Sequence, residues 1–146
     1  MPDFLLDTNI LLRLADRQAA EYEVCQQAIK KLLQQPSRLV IVPQNIVEFW
    51  AVATRPQSAN GFGWTVENTQ QHLEQIIDQF ELLQDNEAVF RIWFDLVVRY
   101  AVSGKQVHDT RIAAAGIAHQ ISHLLTLNEA DFKRFSQIIS IDPSQL

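Results

Sequence analysis

A chain of 146 residues with 47% apolar side chains is long enough to bury a real core and fits one domain rather than two. Its formal net charge of -5, with 20% of residues charged, excludes a protein that grips nucleic acid by phosphate neutralisation over a broad basic surface, so any nucleic-acid chemistry has to sit in a local site. The single Cys25 cannot form an internal disulfide and fits a reducing compartment, the cytoplasm, while Asp3, Asp7, Glu48, Arg91 and Asp95 interrupt the apolar stretches before a signal peptide or the roughly 18-residue run of a membrane span could form.

In chain order, residues 3 to 7 read as a short buried strand ending in Asp7, with Thr8 or Asn9 able to cap the helix that follows through Ile10 to Leu14. Residues 19 to 35 carry Tyr22, Cys25, Ile29, Leu32 and Leu33 at helical spacing, and Pro36 follows the end. Leu39 to Val42 is a second strand, stopped by Pro43. Gln44 or Asn45 then starts a helix running to about Thr54, closed by Arg55-Pro56. Residues 56 to 64 form the one long loop, with Gly61, Gly63 and two aromatics, Phe62 and Trp64, expected at the surface.

Thr65 caps a helix over residues 66 to 79 whose inner face is Val66, Leu73, Ile76, Ile77 and Phe80, and Phe80 to Leu83 is a third, short strand. Residues 86 to 102 are helical with a broad apolar face of Val89, Phe90, Trp93, Phe94, Leu96, Val97 and Tyr100. Gly104 ends that helix and His108-Asp109 opens the next. Leu124 to Leu127 is a fourth strand ending near Asn128, and Ile138 to Ile141 is a last strand after the short piece Ala130 to Phe135. Strands alternating with helices imply βαβ crossovers, hence an α/β fold with a mostly parallel sheet of four to five strands covered on both faces.

Three acids stand in unwelcoming company. Asp7 ends an apolar strand, Glu48 lies in the helix Ile46-Val47-Glu48-Phe49-Trp50-Ala51-Val52-Ala53, which is apolar on every side and expected to be buried nearly all round, and Asp109 precedes Ile112 to Ala118. Each has a plain structural reading: Asp7 and Asp109 as helix caps, Glu48 as a rim residue or the partner of Arg55 or Arg111. The functional reading is a shared pocket. In a parallel sheet the ligand crevice lies beyond the carboxyl ends of the strands, where Asp7 and Asn128 fall, and neighbouring carboxylates there call for a cation.

Among the histidines, His72, His119 and His123 have no ligand spacing with a second soft ligand, and His108 reads as a loop residue, so zinc is disfavoured. Oxygen ligands suit magnesium or manganese, whose chemistry with water and phosphodiesters is hydrolytic.

Asp7-Thr8-Asn9-Ile10-Leu11, Asn45-Ile46-Val47-Glu48-Phe49, Asp109-Thr110-Arg111-Ile112-Ala113 and Leu125-Thr126-Leu127-Asn128-Glu129-Ala130-Asp131-Phe132 together resemble the PIN-domain family over essentially the whole chain, in particular the VapC-type toxins of toxin–antitoxin pairs. The resemblance implies a three-layer α/β/α sandwich made of a single PIN domain, residues 1 to 146, and a Mg2+- or Mn2+-dependent ribonuclease with Asp7, Glu48 and Asp109 as its principal acids. Where many members carry a fourth aspartate this chain has Asn128, with Asp131 three residues on as the substitute. Thr8, Asn9 and Thr126 match supporting positions. Arg13, Arg17, Arg55 and Arg111 are candidate phosphate contacts, each equally open to a structural ion pair. The resemblance also implies a homodimer and a cognate antitoxin, with the helix of residues 86 to 102 and the Phe62 to Trp64 loop as candidate contact surfaces, although core packing is the expected role of Phe90, Trp93 and Phe94.

Two enzymatic or signalling rivals fit less well. An aspartyl-phosphate phosphotransferase needs a second acid two residues beyond Asp7, where Asn9 stands, and a phospho-receiver module leaves Glu48 without a role. The non-enzymatic rival is a catalytically weakened PIN-like interaction module, which Asn128 favours and the three acids oppose.

Overall fold

The strands are short and apolar on both sides because both faces of the sheet are covered, which removes the alternation an exposed sheet would need. A computed structural model describes residues 2–146. Its strands β1 (Phe4–Leu6), β2 (Leu39–Ile41), β3 (Glu81–Leu82), β4 (His123–Leu125) and β5 (Ile139–Ile141) form one sheet in the order β3-β2-β1-β4-β5, with every adjacent pair parallel. The helices are α1 (Thr8–Leu14), α2 (Tyr22–Leu33), α3 (Pro43–Thr54), α4 (Val66–Gln79), α5 (Glu87–Arg99), α6 (Gln106–Ala118) and α7 (Glu129–Phe132).

Alternation along the strands divides the core in two. Phe4, Leu6, Leu39, Ile41 and Leu125 face α1 to α4, meeting Leu11, Ile29, Phe49 and Leu73. Leu5, Val40 and Leu124 face the other way, toward Val89, Ile112, Ala114 and Phe132 of α5 to α7. This is the α/β/α sandwich expected from the alternating elements. The sheet order reverses direction between β1 and β4, so the crevice at their carboxyl ends is the topological switch point.

Several local expectations are corrected. Asp7, rather than Thr8 or Asn9, is the N-cap of α1, because its extended backbone lets its own side chain accept from the Thr8 N–H. α6 begins at Gln106, so His108 and Asp109 lie inside its first turn instead of ahead of it. Val66 and Ile77 of α4 are exposed, and the buried stripe is Thr69, Leu73 and Ile76 with Phe80 beyond. Thr69 can be buried because its hydroxyl donates to the Thr65 carbonyl. Phe90 and Phe94 of α5 are 68% and 54% exposed, while Val89 and Leu96 are buried on the opposite side, so the two phenylalanines are not core residues. Phe62 and Trp64, expected at the surface, are half-buried and pack with Phe49 and His72 in a ring cluster.

Candidate active site

The carboxyl ends of β1 and β4 set the floor of the site. Asp7 follows β1, and its N–H still donates to the Leu125 carbonyl of β4 at 2.9 Å, so residues 7 and 126 end up side by side. One oxygen of Asp7 accepts from the Thr8 N–H at 2.7 Å and the other from the Thr126 hydroxyl at 2.7 Å. Thr126 in turn accepts from the Asn128 N–H at 3.0 Å, and the Asn9 side chain accepts from the Leu127 N–H at 3.3 Å, which pins the loop after β4 against the start of α1. Thr8, Asn9 and Thr126 therefore hold the floor in shape.

Glu48 comes from the middle of α3. That helix is not buried all round. Gln44, Asn45, Phe49 and Ala53 face inward, whereas Val47 is 63% exposed and Ala51 is exposed as well. The apolar residues on its outer side border a cavity instead of the core, which composition cannot distinguish. Glu48 sits between the two sides and is half-buried, without an ion pair to Arg55 or Arg111. Its Oε1 accepts from the Thr8 hydroxyl at 2.9 Å and its Oε2 from the Gln44 amide at 3.1 Å. Asp109 projects from the first turn of α6, the helix that lies against the sheet through Ile112, Ala113 and Ala114.

These elements enclose a cavity of about 560 Å3 lined by Asp7, Thr8, Asn9, Glu48, Asp109 and Asn128, with Val47, Ala51 and Val52 on one wall and Arg55, Lys105 and His108 at its margin. Burial pushes Asp7 up to about 7 in spite of its two hydrogen bonds, with repulsion from Asp109 and Glu48 adding to the shift. Burial, then the charges of Glu48 and Asp131, pushes Asp109 up to about 6, partly offset by His108. Asp131 thus acts on Asp109 through space, although it does not line the cavity with Asn128.

Of the arginines, Arg13 pairs with Glu21 and Arg111 with Asp85, Arg17 is exposed, and Arg55 borders the cavity. The ion pairs among the described residues involve none of Asp7, Glu48 and Asp109. Carboxylate and amide oxygens without a basic partner are the donor chemistry of a hard divalent cation. Among the described residues no group of three or more His, Cys, Asp and Glu is drawn into a ready-made metal cluster, so an ion would have to gather its ligands.

Gln44 and Asn45, which the sequence offers as helix starts with Asn45 also opening the motif that holds Glu48, carry much of the architecture. Asn45 is fully buried, donates to the Leu6 carbonyl at 3.0 Å and the Thr8 hydroxyl at 3.1 Å, and accepts from the Val42 N–H at 2.8 Å. Gln44 links Glu48 to Arg111. The sequence signal was an amide pair directly after Pro43, where polar side chains at a strand-to-helix corner either cap the helix or reach into the crevice. Lys105 and His108 were not singled out as site residues either, since their place at the cavity depends on how α6 packs.

A family model described as PIN domain matches residues 4–138. No curated protein matches the chain. Among solved structures, VapBC2 from Rickettsia felis, bound to a DNA fragment from its promoter, is 19% identical with a TM-score of 0.71 over 95% of this chain and 97% of that one. VapBC-1 from nontypeable Haemophilus influenzae is 20% identical with a TM-score of 0.71 over 97% and 98%. VapC20 from Mycobacterium tuberculosis, a sarcin–ricin loop cleaving toxin, is 10% identical with a TM-score of 0.60 over 84% and 87%. At such identities the likeness is one of fold.

Proposed function

The chain belongs to the PIN-domain family, and from that premise we propose that it is a metal-dependent endoribonuclease, the toxin of a VapBC-type toxin–antitoxin pair. The observation that carries this reading is the meeting of Asp7, Glu48 and Asp109, from three separate elements, on one cavity, with no basic side chain among the described residues in an ion pair with any of them. On this reading residues 1 to 146 make a single PIN domain that works in the cytoplasm, and Asp7, Glu48 and Asp109 hold Mg2+ or Mn2+. Asn128 through its carbonyl oxygen, or Asp131, supplies the fourth position. When bound, such an ion lowers the barrier to attack of water on a phosphodiester and offsets charge on the phosphate oxygens.

The remaining work falls to the chain itself. Glu48 takes a proton from the attacking water, having one oxygen on Thr8 and the other on Gln44 to fix its plane. Thr8 and Thr126 steady Asp7. Arg55 and Lys105, on the cavity margin, meet the phosphates flanking the scissile bond, with Arg13 and Arg17 as more distant candidates for RNA, whereas Arg111 has both terminal nitrogens engaged by Gln44 and Asp85. A cognate antitoxin and a second copy of the chain are the expected protein partners, in keeping with the toxin–antitoxin complexes of the same fold.

Expression in a bacterial host with mapping of RNA ends tests the reading. Growth arrest and new RNA ends are expected from the parent, and loss of cleavage by about 100-fold or more from Glu48→Gln. The second reading, a weakened PIN-like interaction module, is favoured by Asn128 in place of an acid and by the absence of a gathered cluster among the described residues. It would prevail if the parent left RNA intact and if Mg2+ and Mn2+ gave no thermal stabilisation that Asp7→Ala removes.

A further inference from the structure

Glu48 is held by two donors whose own directions are already fixed. Thr8 can turn its hydroxyl proton to Glu48 because its oxygen accepts from Asn45, at 3.1 Å. Gln44 lies one helical turn before Glu48 on α3, is buried, and presents its amide nitrogen to Glu48 at 3.1 Å. Its carbonyl oxygen accepts from Arg111 at 3.3 Å, and the other terminal nitrogen of Arg111 donates to Asp85 at 2.7 Å. A flip of the Gln44 amide would put its carbonyl against the Glu48 carboxylate and its NH2 against the guanidinium, two repulsive contacts at once.

We propose that Arg111 and Gln44 form a relay that positions the Glu48 carboxylate, with Asp85 anchoring its far end. This rests on the nuclease reading for its consequence, not for its geometry. Arg111 lies outside the cavity lining whereas Gln44 and Glu48 are part of it, and both terminal nitrogens of Arg111 are engaged. The guanidinium is matched by Asp85 and reaches Glu48 only through a neutral amide. Orientation is passed on, and the charge that would compete with a divalent cation is not. The relay also joins the loop after β3, α6 and α3 at the edge of one crevice, so Arg111 is a positioning residue rather than a phosphate contact.

The test uses the full chain. The Gln44 side-chain amide resonance, identified by its loss in Gln44→Met, is expected to move in Arg111→Met and in Glu48→Gln. Mn2+ affinity, read by paramagnetic resonance with the metal alone, should fall about tenfold in Gln44→Met and in Arg111→Met, and no further in the double variant, as links of one chain require. Binding of a mixed-sequence single-stranded RNA without metal should stay as in the parent.

An amide resonance unmoved by Arg111→Met overturns the relay, and so does a loss of RNA binding in Arg111→Met that adds to the Gln44→Met effect. Should Arg111→Met not fold, Asp85→Asn, which frees the same guanidinium, takes its place in the resonance measurement. If Glu48→Gln binds Mn2+ as the parent does while the resonance still follows Arg111, the nuclease reading fails and the relay stands.

Discussion

Asp7 pays for its position in protonation. With Asp7 pushed up to about 7 and Asp109 to about 6 from an ordinary 3.8, the folded protein keeps protons that the unfolded chain has already released. Fewer protons bound in the unfolded state means that stability falls as pH rises, from near 4 through about 7, and levels off above. Denaturant midpoints measured in chelator across this range should show the decline, and Mn2+ should flatten it. Asp7→Asn should remove most of the slope and raise the stability of the metal-free protein at pH 8 by about 1 kcal/mol, the usual direction when a strained functional group is neutralised. A slope that persists unchanged in Asp7→Asn would show that other groups cause it. Asp7 stood out in the sequence because an acid at the end of an apolar strand is costly wherever the chain goes. Asn45 did not, since an amide near a helix start is ordinary until the structure shows it reaching Leu6, Thr8 and Val42 together.

Elements differ in how plainly their sequences announce them. α4 spans Val66–Gln79 with Thr65 as its cap, as its spacing predicts, because both signals are local. Its inner face departs from the spacing because Val66 and Ile77 are apolar but exposed, and Thr69 is polar but satisfied within the helix. α6 combines both lessons. Its run of small residues predicts close packing, and Gly116 shows how close: a Cβ there would stand 2.9 Å from a methyl of Leu5 and 3.3 Å from one of Ile138. Gly116→Ala should be tolerated after a small shift of those side-chain ends. Gly116→Val should destabilise by about 1–3 kcal/mol, because its two further methyls would overpack a contact already crowded by Leu5 and Ile138. Equal urea midpoints for the two variants would mean that the packing is looser than the distances imply.

At the scale of the whole molecule, α5 presents an exposed apolar stripe in which Phe90, Phe94 and Val98 recur every fourth residue and are 68%, 54% and 66% exposed. Such a stripe suits a second copy of the chain, and Phe90→Glu combined with Phe94→Glu should turn a dimer into a monomer in light scattering. The cost to the melting temperature should be small, as exposed positions rarely matter to folding by more than about 0.5 kcal/mol each. A parent that is already monomeric at high concentration would refute the dimer. By itself the sequence determined the alternation of strands and helices, hence the parallel sheet, together with the three acids out of keeping with their neighbours, because spacing and residue type act over a few residues. Tertiary structure alone decided which apolar faces stay wet and that residues 7, 48 and 109 open on the same cavity. It also decided that Gln44 and Asn45 tie the crevice together. Exposure and hydrogen-bond partnership are set by neighbours that are distant along the chain, and here the adjacency of β1 and β4 supplies them.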